Sequence, residues 1–383
     1  MIICCGEALI DMARVTVRGL GDVFAPFLGG SPYNTAIAIG RLGVPVKFLG
    51  RLSTDFFGEL LFKKLQKCHV GEELIHRSDQ NSTLAFVEQD KIKGPQYIFY
   101  AEGTADCSLQ PSDLPLKLPA DTKCIVFGSI SMTLEPISTA IESFILREGI
   151  RKSTDQFDGA PVISFDPNIR PFLIKDKNAY TGRLEKWVSA STIVKMSVED
   201  FTFIYPKLDP EKALQKVIAM GPRLAICTLG SKGALALLRR NDGSVTKVNA
   251  PAVDLPVVDT IGAGDTFHGA LLAWLEMKEK MSRSALVSLS ESELYSAIYF
   301  ANKAASIVCT RAGAEPPSRK EVEALKGPKE KEAAMAKPAA KKPAEAKAKS
   351  TETKPAAKAK AAAEKKPTAE AKPAAAKKPA TKK

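Results

Sequence analysis

The chain has 383 residues, with 55 Lys and Arg against 43 Asp and Glu and a formal net charge of +12. Length alone allows two or three domains. However, residues 328–383 hold 17 Lys, 6 Glu, 20 Ala and 7 Pro, no aromatic residue, and Met335 as their only large apolar side chain. That composition buries no core, so 328–383 is expected to be a disordered Lys/Ala/Pro-rich basic tail and 1–327 the folded domain. Nearly all of the excess charge lies in the tail, so the basic balance describes the tail and not a binding face of the domain. The seven cysteines are scattered, without a C-x-x-C pair, and several lie in apolar runs. They read as small buried hydrophobes in a reducing cytoplasm, not as a disulfide frame or zinc site. No apolar run approaches the roughly 18 residues of a membrane span, and the N-terminus lacks a signal peptide's basic start. Three histidines (His69, His76, His268) make histidine-based metal chemistry a poor fit.

MIICCG reads as a buried strand ending at Gly6, with Glu7 and Asp11 beyond its carboxyl end. In FLGGSPYNTAIAIGRLG, Gly29 and Gly30 allow close backbone approach, and Ser31-Pro32 opens a helix. VKFLGRLS is a strand and DFFGELLFKKLQKCHV a helix with Phe57, Leu60, Leu61, Lys64 and Leu65 in register. Two β-rich runs between Thr83 and Tyr100, joined by DKIKGP, predict a hairpin, either an edge of the main sheet or an excursion serving as a lid or interface. Alternation of strands and helices then resumes. CIVFGSIS is a strand, PISTAIESFILREGIRK a helix, VISFDPNIR a strand ending near Asp166, Asn168 and Arg170, and STIVKMSVEDF a strand with Lys195 near its exit. RLAICTLGSKGALALLRR predicts strand, turn and strand, and SELYSAIYFANKAASIVCTRAG a long final helix. This order predicts an α/β fold with a largely parallel sheet covered on both faces, and ligands beyond the carboxyl ends of its strands.

The densest signal is VVDTIGAGDTFHGALLAWL, Val257 to Leu275. A β-branched approach, a glycine turn and an amphipathic helix present bare amides to an anion. Asp265 at that point reads locally either as a helix cap or as a general base beside a phosphoryl group in transfer. Asp11, Asp166-Asn168-Arg170, Lys195, Thr228-Gly230 and Asp259-Asp265 all fall at predicted strand exits. Positioning, charge stabilisation and a base are what phosphoryl transfer requires. The pattern G-x-x-x-x-G-K-[ST] and the protein-kinase H-R-D and D-F-G signatures do not occur, which excludes those two classes.

GGSPYNTAIAIGRLG and VVDTIGAGDTFHGALLAWL, in that order, resemble the two motifs of the ribokinase-like (PfkB) carbohydrate kinases, and the likeness covers roughly residues 1–325. It implies a three-layer αβα Rossmann-like core, a small β-strand lid (within 13–28 and 83–104), ATP as donor, Mg2+, and often a monovalent cation such as K+. GEALIDM, FYAEGTAD, FDPNIRPFL and IVKMSVEDF resemble the bacterial fructokinase branch, implying transfer to the 6-hydroxyl of D-fructose. The resemblance makes Asp265 the base and Gly262, Ala263 and Gly264 the anion hole. Asp11, Gly30, Asn34 and Arg170 would hold sugar oxygens, although a turn residue, a first-turn helix polar group and a surface ion pair are ordinary roles for Asp11, Asn34 and Arg170. Lys195, Thr228, Gly230 and Gly233 would line the nucleotide, although the two glycines also suit a plain hairpin turn.

The family's Asn-x-x-Glu metal element corresponds here to Ser197-Val198-Glu199-Asp200, and Asp reaches one methylene less than Glu. Glu199 and Asp200 are therefore both candidate metal contacts, while carbonyls near Asp259, Ile261 and Arg311 to Gly313 are candidates for the monovalent cation. Other substrates open within the resemblance are 2-keto-3-deoxygluconate, ribose or a nucleoside. A more distant reading is a non-catalytic sugar sensor with a polyanion-binding tail. The tail lacks aromatic residues to stack on bases, so any polyanion affinity would be nonspecific. A homodimer through the lid is a further expectation.

Overall fold

A computed structural model of the chain describes residues 1–90, 94–154 and 160–325. The basic tail and part of the DKIKGP connection lie outside the described residues. In chain order the elements are β1 (Ile2–Cys5), β2 (Leu9–Val17), β3 (Gly21–Gly29), α1 (Ser31–Arg41), β4 (Val46–Ser53), α2 (Phe56–Lys67), β5 (Val70–Ser78), β6 (Leu84–Asp90) and β7 (Gly94–Tyr100). Then follow β8 (Cys124–Gly128), α3 (Ile137–Thr154), β9 (Val162–Asp166), α4 (Lys177–Ala190), β10 (Ile193–Ser197), α5 (Val198–Ile204), α6 (Pro210–Ala219) and β11 (Leu224–Thr228). The chain closes with β12 (Ala234–Arg239), β13 (Val245–Ala250), α7 (Ala263–Met277), α8 (Arg283–Val287), α9 (Glu291–Val308) and α10 (Arg319–Ala324).

Nine strands form the main sheet in the order β13-β12-β11-β10-β9-β8-β1-β4-β5. Pairing is parallel from β11 to β5 and antiparallel in the β11-β12-β13 edge. The continuous apolar runs of the sequence are explained by this setting. A strand alternates its side chains between faces, and both faces here are covered. Ile2 and Cys4 enter one core, Ile3 and Cys5 the other; Cys124 and Val126 face one way, Ile125 and Phe127 the other. The first core packs α1, α2, α7 and α9, and the second packs α3, α4, α5 and α6, which makes three layers. Six of the seven cysteines are buried and all are free thiols.

The second sheet has four strands in the order β3-β2-β6-β7. The Thr83–Tyr100 hairpin therefore belongs to a separate sheet and is not an edge of the main one. Asp11 also moves: it lies within β2, paired with Phe27 and Ala85, and not in a turn after β1. The STIVKMSVEDF segment stays extended only to Ser197, because Ser197 and Asp200 form a reciprocal capping box that starts α5.

α7 is buried along its whole length from Asp265 to Leu275 and packs on α1 and α9. Its close approach to α1 depends on Gly269, where a Cβ would lie 2.9 Å from both Ala38 Cβ and Thr35 O. Gly269→Ala improves helix propensity by about 1 kcal/mol but forces the two helices apart, an overpacking cost of about 1–3 kcal/mol. We expect a net loss of up to about 2 kcal/mol in urea unfolding, and the variant should lose turnover as well, because the same crossing positions Asp265 against Ser31 and Asn34. Unchanged stability and turnover would show that the crossing tolerates a methyl group.

Candidate active site

Asp259 organises the turn before α7. Its Oδ1 accepts the Ile261 amide at 3.0 Å and its Oδ2 the Gly313 amide at 2.9 Å. Gly262 then takes a left-handed conformation, φ 73°, and a Cβ there would meet Ala314 Cβ at 2.6 Å. Glycine meets both demands. The Ala263 amide donates to Thr260 O at 3.2 Å. Among the described residues, the amides of Gly262, Gly264 and Asp265 have no protein acceptor. Of the three positions expected as an anion hole, Ala263 is thus committed to the turn, and Gly262 and Gly264 are open.

Asp265 sits two residues inside the helix and is not its cap, a position held by Gly262 without any side-chain bond. Its carboxylate points instead at α1. Ser31 Oγ donates to Oδ1 at 2.6 Å and Asn34 Nδ2 to Oδ2 at 2.9 Å. Burial pushes the Asp265 carboxyl up to about 6, against the lowering effect of those two bonds. Asn34 Oδ1 remains buried without a partner. Ser31 is itself fixed, because its amide donates to Glu7 Oε1 at 3.0 Å. Glu7 Oε2 accepts both the amide and the hydroxyl of Ser131, and burial raises the Glu7 carboxyl.

Behind the glycine turn lies a buried ion pair, Lys195 Nζ to Asp166 Oδ2 at 2.7 Å, with both side chains 4% exposed. A Cβ on Gly264 would stand 3.0 Å from Lys195 Nζ, so the ammonium lies directly under the turn. Burial alone would lower the Lys195 pKa; the charge and hydrogen bond of Asp166 outweigh it and the pKa is raised. Asp166 Oδ1 has no partner. His268 is fully enclosed, bonded to Ser164 Oγ at 2.7 Å, and burial with the Lys195 charge lowers it to about 3, so it is a neutral core histidine.

Asp11 is raised to about 6, first by burial; the Arg170 charge lowers it, and Asp265 and Glu7 raise it. The four groups therefore share one electrostatic neighbourhood. Arg170 is folded back on Asn168, donating to its Oδ1 at 2.8 Å and its carbonyl at 3.0 Å, with Asn168 in a left-handed conformation, φ 38°. Gly30 opens α1 at φ 107°, where a Cβ would lie 2.7 Å from Glu7 O. Thr228 ends β11 opposite Ser197, and Gly230 (φ 59°) and Gly233 (φ 91°) shape the exposed turn to β12. A Cβ at Gly233 would collide with Ala250 O, so that glycine also serves the hairpin.

The structure thus brings together Asp11, Gly30, Asn34, Arg170, Lys195 and the Gly262–Asp265 turn. Thr228, Gly230 and Gly233 sit further along the carboxyl edge of the same sheet. Asp200 is buried, with Oδ1 taken by the Ile169 amide and Oδ2 by the Ser197 amide, both at 2.7 Å. Glu199 is exposed. Among the described residues no group of three His, Cys, Asp or Glu side chains is arranged to hold a metal ion. Glu7, Ser31 and Asp166 complete the site; of these, the sequence places Asp166 among the strand-exit groups that suit phosphoryl transfer, without an individual role, and gives no role to Glu7 or Ser31. Glu7 and Asp166 had one usable signal, a carboxylate following an apolar strand; Ser31 had none beyond helix initiation.

Residues 1–346 match the model of the pfkB family carbohydrate kinases, and the chain belongs to that family. A fructokinase of Rhizobium leguminosarum bv. trifolii is 38% identical over 296 residues, 77% of this chain and 85% of that protein. Fructokinase-1 of Zea mays is 32% identical over 333 residues, 85% of this chain and 96% of that protein. A crystal structure of a Xylella fastidiosa fructokinase with bound ATP superposes with a TM-score of 0.73 at 26% identity, covering 85% of this chain and 97% of that one. The protein is a carbohydrate kinase with the ribokinase-like α/β fold. No helix among the described residues is long and apolar enough to cross a membrane.

The raised Asp265 carboxyl has a stability consequence. Its folded value of about 6 exceeds the ordinary 3.8, so the folded state binds the proton more tightly. Stability from this group therefore falls as pH rises from about 4 to 6, and the full cost is present above 6. Asp265→Asn should abolish this fall in stability between about pH 4 and 6, read by urea unfolding across pH, although the amide cannot accept from both Ser31 and Asn34 and so loses one of the two bonds. A variant that keeps the parent's fall in stability over that pH range would contradict the burial argument.

Proposed function

We propose that the protein transfers the γ-phosphoryl group of ATP to the 6-hydroxyl of D-fructose, giving fructose 6-phosphate and ADP, with Asp265 as general base. The observation that carries this reading is a buried carboxylate with a pKa of about 6, held beside open amides at a glycine turn. As the sugar oxygen bonds to phosphorus and the bond to the ADP oxygen breaks, Asp265 takes the hydroxyl proton. A base with a pKa near 6 is largely ionised at neutral pH and matched to that task, worth typically ~10²–10⁴-fold. The Gly262 and Gly264 amides donate to the phosphoryl oxygens, and Lys195 beneath Gly264 adds fixed positive charge. Because the Ala263 amide is already bonded, its part in the hole is steric: a small side chain that leaves the approach open.

Asp11, the Gly30 turn, Arg170 and the unpartnered Asn34 Oδ1 hold the sugar hydroxyls. A buried acceptor left without a donor disfavours ligands that lack the matching hydroxyl. Thr228, Gly230 and Gly233 line the nucleotide. Magnesium would neutralise phosphate charge, and the group open to its water shell is the exposed Glu199; Asp200 is doubly bonded, and Asp166 Oδ1 is unpartnered but buried. A monovalent cation, K+, suits the carbonyls of Asp259, Ile261 and the Arg311–Gly313 segment, which the Asp259 carboxylate ties together. The lid offers an apolar surface for a second subunit: Phe24, Ile98 and Tyr100 are 45%, 61% and 62% exposed. Fructose is favoured over 2-keto-3-deoxygluconate, ribose or a nucleoside because the relatives from a bacterium and a plant are both fructokinases.

An ADP-release assay across fructose, ribose, 2-keto-3-deoxygluconate and a nucleoside should give fructose a kcat/KM at least about tenfold above the others. A different preferred acceptor would overturn the substrate assignment. The same assay on residues 1–327 should stay within about twofold of the full chain, since the tail has no composition for catalysis.

A further inference from the structure

Arginines gather at the opposite edge of the main sheet from Asp265. Arg223 precedes β11 and Arg239 ends β12, and antiparallel pairing sets them side by side, with the Arg239 amide donating to Arg223 O at 2.8 Å. Arg283 opens α8, which is tied to the same edge by Arg240 Nη1 donating to Val287 O at 2.6 Å. The length of β11 separates this edge from the catalytic one by about 15 Å.

The guanidinium groups of Arg223 and Arg239 are held but not neutralised. Arg223 Nη1 donates to Arg240 O at 3.3 Å and Arg239 Nη2 to Gly221 O at 2.7 Å. These acceptors are carbonyls. Elsewhere in the chain arginines meet carboxylates: Arg51 pairs with Asp113, Arg183 with Glu142, Arg319 with Glu323. Among the described residues no carboxylate pairs with Arg223, Arg239 or Arg283, and Nε of Arg223 and of Arg239 is buried without a partner. Asp242 lies beside Arg240 and accepts from the amide and hydroxyl of Ser244. Burial, then the charge of Arg239, lowers the Arg223 pKa; burial, then Arg223 and Arg239, lowers that of Arg283. Half-buried like charges without a counterion are unfavourable, and a doubly charged oxyanion relieves both the repulsion and the unfilled donors.

We propose that Arg223, Arg239 and Arg283 form a binding site for a phosphate-class oxyanion, either inorganic phosphate or a phosphate monoester, distinct from the phosphoryl-transfer turn. The site uses planar guanidinium forks, whose geometry matches tetrahedral oxyanions. It does not depend on which sugar the enzyme phosphorylates.

Calorimetric titration of the full chain with inorganic phosphate, and separately with glycerol phosphate, tests the proposal against sodium chloride at matched ionic strength. Arg283→Gln is the informative variant, because among the described residues no hydrogen bond or ion pair uses that side chain. Saturable phosphate binding that weakens at least about tenfold in Arg283→Gln, with turnover unchanged and Arg319→Gln behaving as the parent, supports the site. Saturation by glycerol phosphate as well would assign it to monoesters. Phosphate held only at the catalytic turn would survive Arg283→Gln undiminished, and that result overturns the proposal. So does a response no larger than that to chloride.

Discussion

The contact between the first turns of α1 and α7 is the constraint on which the site depends. Ser31 and Asn34, from the start of one helix, hold the two oxygens of Asp265 from the start of the other. The two residues are more than 230 positions apart in sequence, so only the completed fold joins them. Gly269 lets the helices lie close enough, and Glu7 at the end of β1 fixes the Ser31 amide. Positive helix ends converge on one carboxylate, yet its pKa is raised, because burial outweighs the hydrogen bonds that favour the ion. An exposed carboxylate would be a weaker base, and a buried one without Ser31 and Asn34 would hold its proton more tightly.

The same choice costs stability. Asp11 and Asp106, like Asp265, are raised to about 6 mainly by burial, and the Lys195–Asp166 pair is nearly free of solvent. Such groups are seldom retained for stability, since apolar replacements of similar volume are often neutral or better. Asp265 and the Lys195–Asp166 pair lie at the carboxyl edge of a parallel sheet, where ligands bind in this architecture, and Asp11 in the second sheet is near enough to feel the charge of Asp265. The surrounding three layers supply the compensation: two continuous apolar cores, one on each face of nine strands.

Much of the fold was legible because period and punctuation agree. Runs such as CIVFG and LAICT have no polar face, and only a doubly covered sheet accepts them. The glycine turn before Asp265 announced itself in the same way. Three features were not legible locally. Asp11 reads as a turn residue, but its place in β2 is decided by pairing with β3 and β6, a long-range choice. The start of α5 at Val198 was hidden because Ser197-Val198 continues a β-branched run; the capping box wins. The role of Asp166 requires Lys195 from the neighbouring strand, and register between parallel strands leaves no mark in sequence. Asp265 itself looked locally like a cap, and what decides against that is Gly262 occupying the cap position.

As general base, Asp265 would act on the transferred proton and not merely brace the two helices. The most direct measurement is the single-turnover rate of ATP-dependent fructose phosphorylation by Asp265→Asn, alongside ATP binding and thermal stability. With the base removed, the rate should fall by at least ~10²-fold while nucleotide binding and folding are retained. A rate within about tenfold of the parent, in a folded variant, would contradict it.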